Sequence, residues 1–132
     1  RRDGKIYLSD AESFKVFVIS TDGIISTFAG SGIEGAETSL IAASNAKIRV
    51  INGIAEDTEG NIFLTDSNNQ VIRKVASQDG ILSVFAGAVG TSGCSTVGDG
   101  ADKLSARMCS PHGLFLEQTT QDELYFTDDT AH

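Results

Sequence analysis

The 132-residue chain contains one proline, two cysteines, two histidines and no tryptophan. It also has no apolar run approaching the roughly 20 residues that cross a bilayer as a helix, so neither a membrane span nor a secretory leader is predicted. Its beginning at Arg1-Arg2-Asp3 leaves the question of a leader in any longer product open. Positive charge is scarce: ten Lys and Arg stand against 18 Asp and Glu, a net charge of −8. Nucleic-acid recognition needs a basic stripe that releases counterions, and Arg49, Arg73, Lys74, Lys103 and Arg107 are scattered among acids. Anionic membrane surfaces are disfavoured for the same reason. Serines are plentiful, but none lies in a Gly-x-Ser-x-Gly elbow and neither histidine has a partner at a telling spacing. No phosphate-cradling glycine loop opens a helix. The only helical stretches expected are Ala36 to Lys47 and, more weakly, Asp102 to Met108, both in connections and short enough to be single turns.

What is present is alternating apolar runs and polar turns. Ile62-Phe63-Leu64, Val71-Ile72-Arg73-Lys74-Val75 and Leu82-Ser83-Val84-Phe85-Ala86 are separated by Asp66-Ser67-Asn68-Asn69 and Gln78-Asp79-Gly80. Aromatic and β-branched residues between Asn, Asp and Gly predict an antiparallel meander. The block recurs. Asp3-Gly4-Lys5-Ile6-Tyr7-Leu8-Ser9-Asp10 matches Glu59-Gly60-Asn61-Ile62-Phe63-Leu64-Thr65-Asp66, and Asp122-Glu123-Leu124-Tyr125-Phe126-Thr127-Asp128 begins a third copy. Asp22-Gly23-Ile24-Ile25-Ser26-Thr27-Phe28-Ala29-Gly30 likewise matches Asp79-Gly80-Ile81-Leu82-Ser83-Val84-Phe85-Ala86-Gly87. An earlier strand, Gly53-Ile54-Ala55, precedes the second block, and Gly113-Leu114-Phe115 precedes the third.

Four strands in a unit of about 40–60 residues predict an all-β protein built of β-propeller blades. Runs such as Val16-Phe17-Val18-Ile19, apolar on both faces, suit sheets covered on each side. A β-sandwich is the competing architecture, and it would not demand repetition. The expected division is blade 1 strands over 3–30, a connection over 31–47, blade 2 over 48–87, a long loop over 88–110 and the start of blade 3 over 111–132.

The chain resembles the NHL-repeat propellers. The resemblance is carried by Gly60-Asn61-Ile62-Phe63-Leu64-Thr65-Asp66 with Asn69-Gln70-Val71-Ile72-Arg73-Lys74-Val75, and by Ser110-Pro111-His112-Gly113-Leu114. Phe85-Ala86-Gly87 followed by Gly98-Asp99-Gly100 and the segment Ala101 to Ala106 extends it over nearly the whole chain. The first copy departs from the pattern: Glu12-Ser13-Phe14-Lys15 replaces Asn68-Asn69-Gln70-Val71, and Asn52-Gly53 lacks a preceding proline. Such propellers close with about six blades, so three strands, one whole blade and two further strands make an incomplete ring. Its outer faces and edges would be uncovered. A piece of a longer polypeptide is the expectation, with ring completion by several copies as the alternative.

Candidate site residues follow from position. Cys94 and Cys109 flank the long glycine-containing connection, and a disulfide between them would contribute about 3 kcal/mol in the chain-entropy model. It would imply an oxidising compartment; two free thiols in a cytosolic protein are the alternative. Asp10, Asp66 and Asp128 end the second strand of each unit and are expected to accept N–H bonds from their own turns. Asn52 and His112 stand before Gly53 and Gly113, at what would be the channel mouth. The resemblance implies that enzymatic relatives build ligand and metal sites there, but one histidine is not a converging set, and a turn role is the simpler reading. Gly98-Asp99-Gly100 lacks the alternating acids of a calcium loop. No cofactor and no metal are predicted. The expected role is a non-enzymatic protein-interaction or structural module of a secreted or surface protein. Its partners would be a protein or further blades, in the same longer chain or by self-association, with no nucleic acid and no membrane insertion. The alternatives are part of a metal-dependent lyase or hydrolase propeller, and a cytoplasmic location.

Overall fold

A computed structural model describes residues 4–90, 100, 102–117 and 122–129. The described residues form an all-β structure of three antiparallel sheets. Strands β1 (Ile6–Asp10), β2 (Lys15–Ile19) and β3 (Ile25–Ala29) make the first, in the order β1-β2-β3. The second takes β4 (Ile41–Ala42), β5 (Ile51–Glu56), β6 (Ile62–Asp66), β7 (Val71–Val75) and β8 (Ile81–Ala86) in the order β4-β8-β7-β6-β5. The third pairs β9 (Pro111–Glu117) with β10 (Glu123–Asp128). The meander expected over 62–86 is therefore present, flanked by β5 on one edge and the short β4 on the other.

No helix spans 36–47. Ile41 and Ala42 pair instead with Leu82 and Ile81 at the edge of β8, and a single 3-10 turn covers Ala43–Asn45. Alanine favours helix only by tenths of a kcal/mol, which specific tertiary hydrogen bonds override. Here the carbonyls of Ala43 and Ala46 accept the N–H groups of Gly30 and Ser31, each at 2.8 Å. One unit later the Gly87 and Ala88 N–H groups donate to Lys103 and Ala106, at 2.8 and 3.2 Å. The second helical expectation reduces to a 3-10 turn over Lys103–Ser105, its N-cap Asp102 accepting from the Leu104 N–H at 2.8 Å. Each connection thus folds back to satisfy the end of the strand it has just left.

The glycine of Phe-Ala-Gly is required by contact as well as by torsion. Gly30 and Gly87 have φ of 91° and 95°. A Cβ on either would fall 2.2 Å from the Phe14 carbonyl oxygen or 2.6 Å from that of Gln70. Phe14 and Gln70 are themselves left-handed, at φ 51° and 61°, closing equivalent turns.

The sheets stack in chain order. Val16 and Ala29 of the first sheet pack with Ile51, Ile62, Leu64, Val75 and Leu82 of the second. Phe63, Ile72 and Ala86, from the other side of the second sheet, pack with Leu116 of the third and with Met108. Each buried aliphatic or aromatic side chain contributes about 1.5–3 kcal/mol. Because side chains alternate along a strand, every sheet has two chemically distinct sides. The side toward the following sheet carries an aromatic pair: Tyr7 meets Phe28 edge-on at 4.7 Å, and Phe63 meets Phe85 in the same way at 4.9 Å. The side toward the preceding sheet carries leucine, isoleucine and valine.

Candidate functional site

The polar residues of interest gather where β5 and β9 begin. Asp66 is fully buried, and its carboxylate accepts from Arg73 Nε at 2.7 Å, Asn69 Nδ2 at 2.8 Å and the Arg49 N–H at 3.3 Å. Arg73 is equally buried and donates through Nη1 to the Glu37 carbonyl at 2.7 Å, while Asn69 Nδ2 also reaches the Gly35 carbonyl at 2.8 Å. The connection over 31–47 is thereby fastened to the second sheet. The Glu37 carboxyl is held below its usual range by its own turn, chiefly by N–H donation from Ser39, with burial acting the other way and a further Ser39 contact, the Thr38 N–H and the Arg73 charge adding to it.

The three periodic aspartates differ in what they bind. Asp10 accepts from the Glu12 and Ser13 N–H groups at 3.1 and 3.4 Å, the local turn expected. Asp66 and Asp128 instead reach back to the segment that enters the first strand of their sheet. Asp128 accepts from the Cys109 N–H at 2.9 Å and the Ser110 N–H at 2.6 Å. The difference goes with the neighbouring strand: β6 and β10 each lie beside a strand whose entry the aspartate can reach, β5 and β9, and no strand lies beside β1 on its free edge among the described residues.

Asn52 and His112 are brought into one network, through residues that the motif reading passed over. Asn52 Nδ2 donates to Ser67 Oγ at 2.7 Å, and Ser67 Oγ donates to the Pro111 carbonyl. Beside it the Gly53 N–H donates to Thr65 Oγ1 at 2.7 Å, and that hydroxyl donates to the His112 carbonyl at 2.8 Å. Threonine is suited to this position because one oxygen both accepts and donates. The His112 carbonyl approaches so closely that a Cβ on Gly53 would lie 2.4 Å from it. A recurring hydroxyl residue before each aspartate, Ser9, Thr65 and Thr127, was the available signal for this contact. The His112 ring is half-buried, with Nδ1 2.9 Å from the Ser110 carbonyl. A carbonyl only accepts, so Nδ1 is the donor in this contact, and the Ser110 hydroxyl lies 3.3 Å from the same nitrogen.

Between the first and second sheets lies a cleft of about 440 Å³, bordered by Tyr7, Phe28, Lys5, Glu56, Thr58 and Glu59. Asp57 lines it too, but its carboxylate is occupied by the Glu59 and Asn61 N–H groups at 3.0 and 2.8 Å and by Asn61 Nδ2 at 2.7 Å. Among the described residues no three His, Cys, Asp or Glu side chains converge in a way that would hold a metal ion. Of the expected disulfide, Cys109 sits at the entry to β9 and Cys94 lies outside the described residues.

No family model matches the chain, and no curated protein matches it. Solved structures do. A structural-genomics protein of unknown function from Bacteroides thetaiotaomicron VPI-5482 is 26% identical, with a TM-score of 0.70 over 86% of this chain and 27% of its own length. An auxiliary nutrient binding protein from the same organism is 18% identical, with a TM-score of 0.62 over 82% of this chain and 28% of its own. The chain spans little more than a quarter of either protein, and its likeness to the second is one of fold alone.

Proposed function

We propose that the chain is a run of NHL-type β-propeller blades serving as a non-enzymatic interaction or structural module of a secreted or cell-surface protein. The observation that carries this reading is the serial stacking of like sheets, in which a side bearing an aromatic pair on one receives the aliphatic side of the next. Such a scaffold is a rigid support for loops, and its stability comes from neighbour-to-neighbour contacts. The fold-level likeness to a protein described as nutrient-binding favours binding over catalysis, by analogy only. The excess of acidic residues favours basic or neutral partners over nucleic acid. A Cys94–Cys109 disulfide belongs to the same proposal and fits an oxidising compartment.

One observation favours the enzymatic alternative. The contact of His112 Nδ1 with the Ser110 carbonyl leaves Nε2 to meet a ligand at the strand entries, and companion ligands would have to come from other blades.

The test is to immobilise the oxidised chain and present a panel of neutral oligosaccharides and basic peptides, analysing each eluate for product. Reversible binding with intact ligand is the expected result, and a converted ligand would overturn the non-enzymatic reading. Intact mass after alkylation under non-reducing conditions is expected to show a loss of two hydrogens and no adduct. Two alkylated thiols would remove the case for secretion.

A further inference from the structure

We infer that the junction of the first two sheets holds a site for an alkylammonium group, the side chain of a lysine on a partner protein, seated against the Phe28 ring. The inference rests on the interaction-module reading above and adds the place and the chemistry of what is bound. A cavity of about 310 Å³ opens beside β3 at this junction, bordered by Val18, Phe28, Ala43, Ser44, Val75 and Asp79. Its walls are β2, β3, β7, the β7–β8 turn and the connection between the two sheets. Neither the free edge of β1 nor the third sheet takes part in it.

The second unit shows what this place is shaped to take. Tyr7 and Phe28 correspond to Phe63 and Phe85, and both pairs meet edge-on, at 4.7 and 4.9 Å. In the second unit two ammonium groups flank the pair: Lys103 Nζ stands 3.8 Å from the Phe85 ring centre and Lys74 Nζ 5.7 Å from that of Phe63. A cation within about 6 Å of a ring centroid is attracted by the ring quadrupole. Lys103 and Ala43 are equivalent, since each opens a 3-10 turn and its carbonyl accepts the glycine N–H that ends Phe-Ala-Gly, at 2.8 Å. Lys74 and Val18 are equivalent through their cross-strand partners, Phe63 and Tyr7. The first unit thus keeps the ring pair and replaces both lysines by small apolar residues, and both replacements border the cavity.

The surrounding charge has the sign that a cation needs. Asp79 stands on the rim with Oδ1 taken by the Ile81 N–H at 3.0 Å, and a carboxylate has a second oxygen with which to accept. The adjoining cleft shares Phe28, Val75 and Gly80 with the cavity and is bordered by Glu56, Asp57 and Glu59 against Lys5. The Ser44 hydroxyl adds an acceptor. An alkylammonium group matches all three features: its stem suits Val18 and Val75, its N–H donors suit Asp79 and Ser44, and its charge suits the Phe28 ring. A neutral apolar group would fill the same walls and leave the carboxylate and the ring without their cation.

The experiment is an NMR titration of the chain with Nα-acetyl-lysine amide and with Nα-acetyl-norleucine amide, which keeps the stem and lacks the ammonium. Lysine amide is expected to shift the Val18, Phe28 and Ala43 signals, and its own ε-methylene protons are expected to move upfield, as protons above a ring face do. Norleucine amide is expected to bind about tenfold more weakly. Added salt is expected to weaken the lysine amide alone. Ala43→Lys supplies the ammonium from within and is expected to lower the affinity for lysine amide by about tenfold or more. Should that variant not fold, Asp79→Asn keeps an oxygen for the Ile81 N–H and is expected to weaken lysine amide several-fold while leaving norleucine amide unchanged. No shift at tens of millimolar lysine amide, or equal binding of the two amides, would overturn the inference. Lysine amide binding mapped to β9 and β10 would also overturn it, and would leave the interaction-module reading standing. A chemically altered lysine amide would overturn the non-enzymatic reading and the inference with it.

Discussion

Replacing Arg73 by methionine tests whether the junction of the first two sheets is held by charge or by packing. Both partners of the Arg73–Asp66 pair are fully buried, at an Nε–Oδ2 distance of 2.7 Å. Methionine retains much of the apolar stem, so the substitution chiefly removes a counterion and the hydrogen bond to the Glu37 carbonyl. Asp66 would keep two donors, the Arg49 N–H and Asn69 Nδ2. Breaking a buried pair from one side costs about 3–5 kcal/mol, because a charge is left without compensation. Two features hold the figure to the lower half of that range. Asp66 keeps those two donors, and Arg73 Nη2 has no hydrogen-bond partner among the described residues, so part of the native pair is already unsatisfied.

The expected loss is therefore about 3 kcal/mol, a large share of the 5–15 kcal/mol typical of a domain. With a urea m-value of about 1–3 kcal/mol/M, the unfolding midpoint falls by roughly 1–3 M. Asp66→Asn combined with Arg73→Met removes both charges and keeps an acceptor for the Arg49 N–H, so it is expected to recover more than half of the loss. A single variant within about 1 kcal/mol of wild type would refute the reasoning. A double variant as unstable as the single would place the cost in packing.

Two further outcomes follow from the hydrogen-bond geometry. Thr65→Val strands the Gly53 N–H and the His112 carbonyl in a dry junction and is expected to cost about 2–3 kcal/mol in urea unfolding. Thr127→Val, at the exposed counterpart, is expected to stay within about 0.5 kcal/mol, and equal effects would disprove the relay. Asp10 is held below the ordinary aspartate range by the Ser13 hydroxyl first, then by the Ser13 and Glu12 N–H groups. A depressed folded pKa stabilises above the unfolded value, and that contribution is lost as pH falls through the lower folded value. Asp10→Asn is accordingly expected to lower Tm slightly at pH 7 and to flatten the fall in Tm below about pH 4, so that the two proteins converge in acid; a slope identical to wild type would disprove it.

The strands were legible because their signals are local. Ile62-Phe63-Leu64 and Val71 to Val75 alternate between turn residues, and the end of each strand is written in the Asp and Gly that follow it. What the repeat could not disclose is where a side chain reaches when its partner is distant in sequence. Asp10, Asp66 and Asp128 look alike, yet two of them bind backbone 17 to 19 residues upstream. The helix expected over 36–47 failed for a related reason: alanine propensity is weak, and the competing bonds to Gly30 and Ser31 come from a strand that the segment itself does not contain.

The same comparison explains why the stack has a direction. A sheet with identical sides could be covered by either side of a neighbour, and a sequence repeat would then leave the order of packing free. Here glycine, a hydroxyl and an aromatic pair occupy one side, while Ile62, Leu64, Val75 and Leu82 occupy the other. Only the first kind of side admits a backbone at the distance set by Gly53 and offers Thr65 to receive its carbonyl. An aliphatic side turned toward Gly53 without an accompanying strand entry would leave the Thr65 hydroxyl buried with no acceptor for its proton, at about 1–3 kcal/mol. Two aromatic sides placed together would strand two such hydroxyls. Between the second and third sheets the direction of stacking is therefore favoured by hydrogen-bond satisfaction at the strand entries, and apolar burial, which has no direction of its own, supplies its strength.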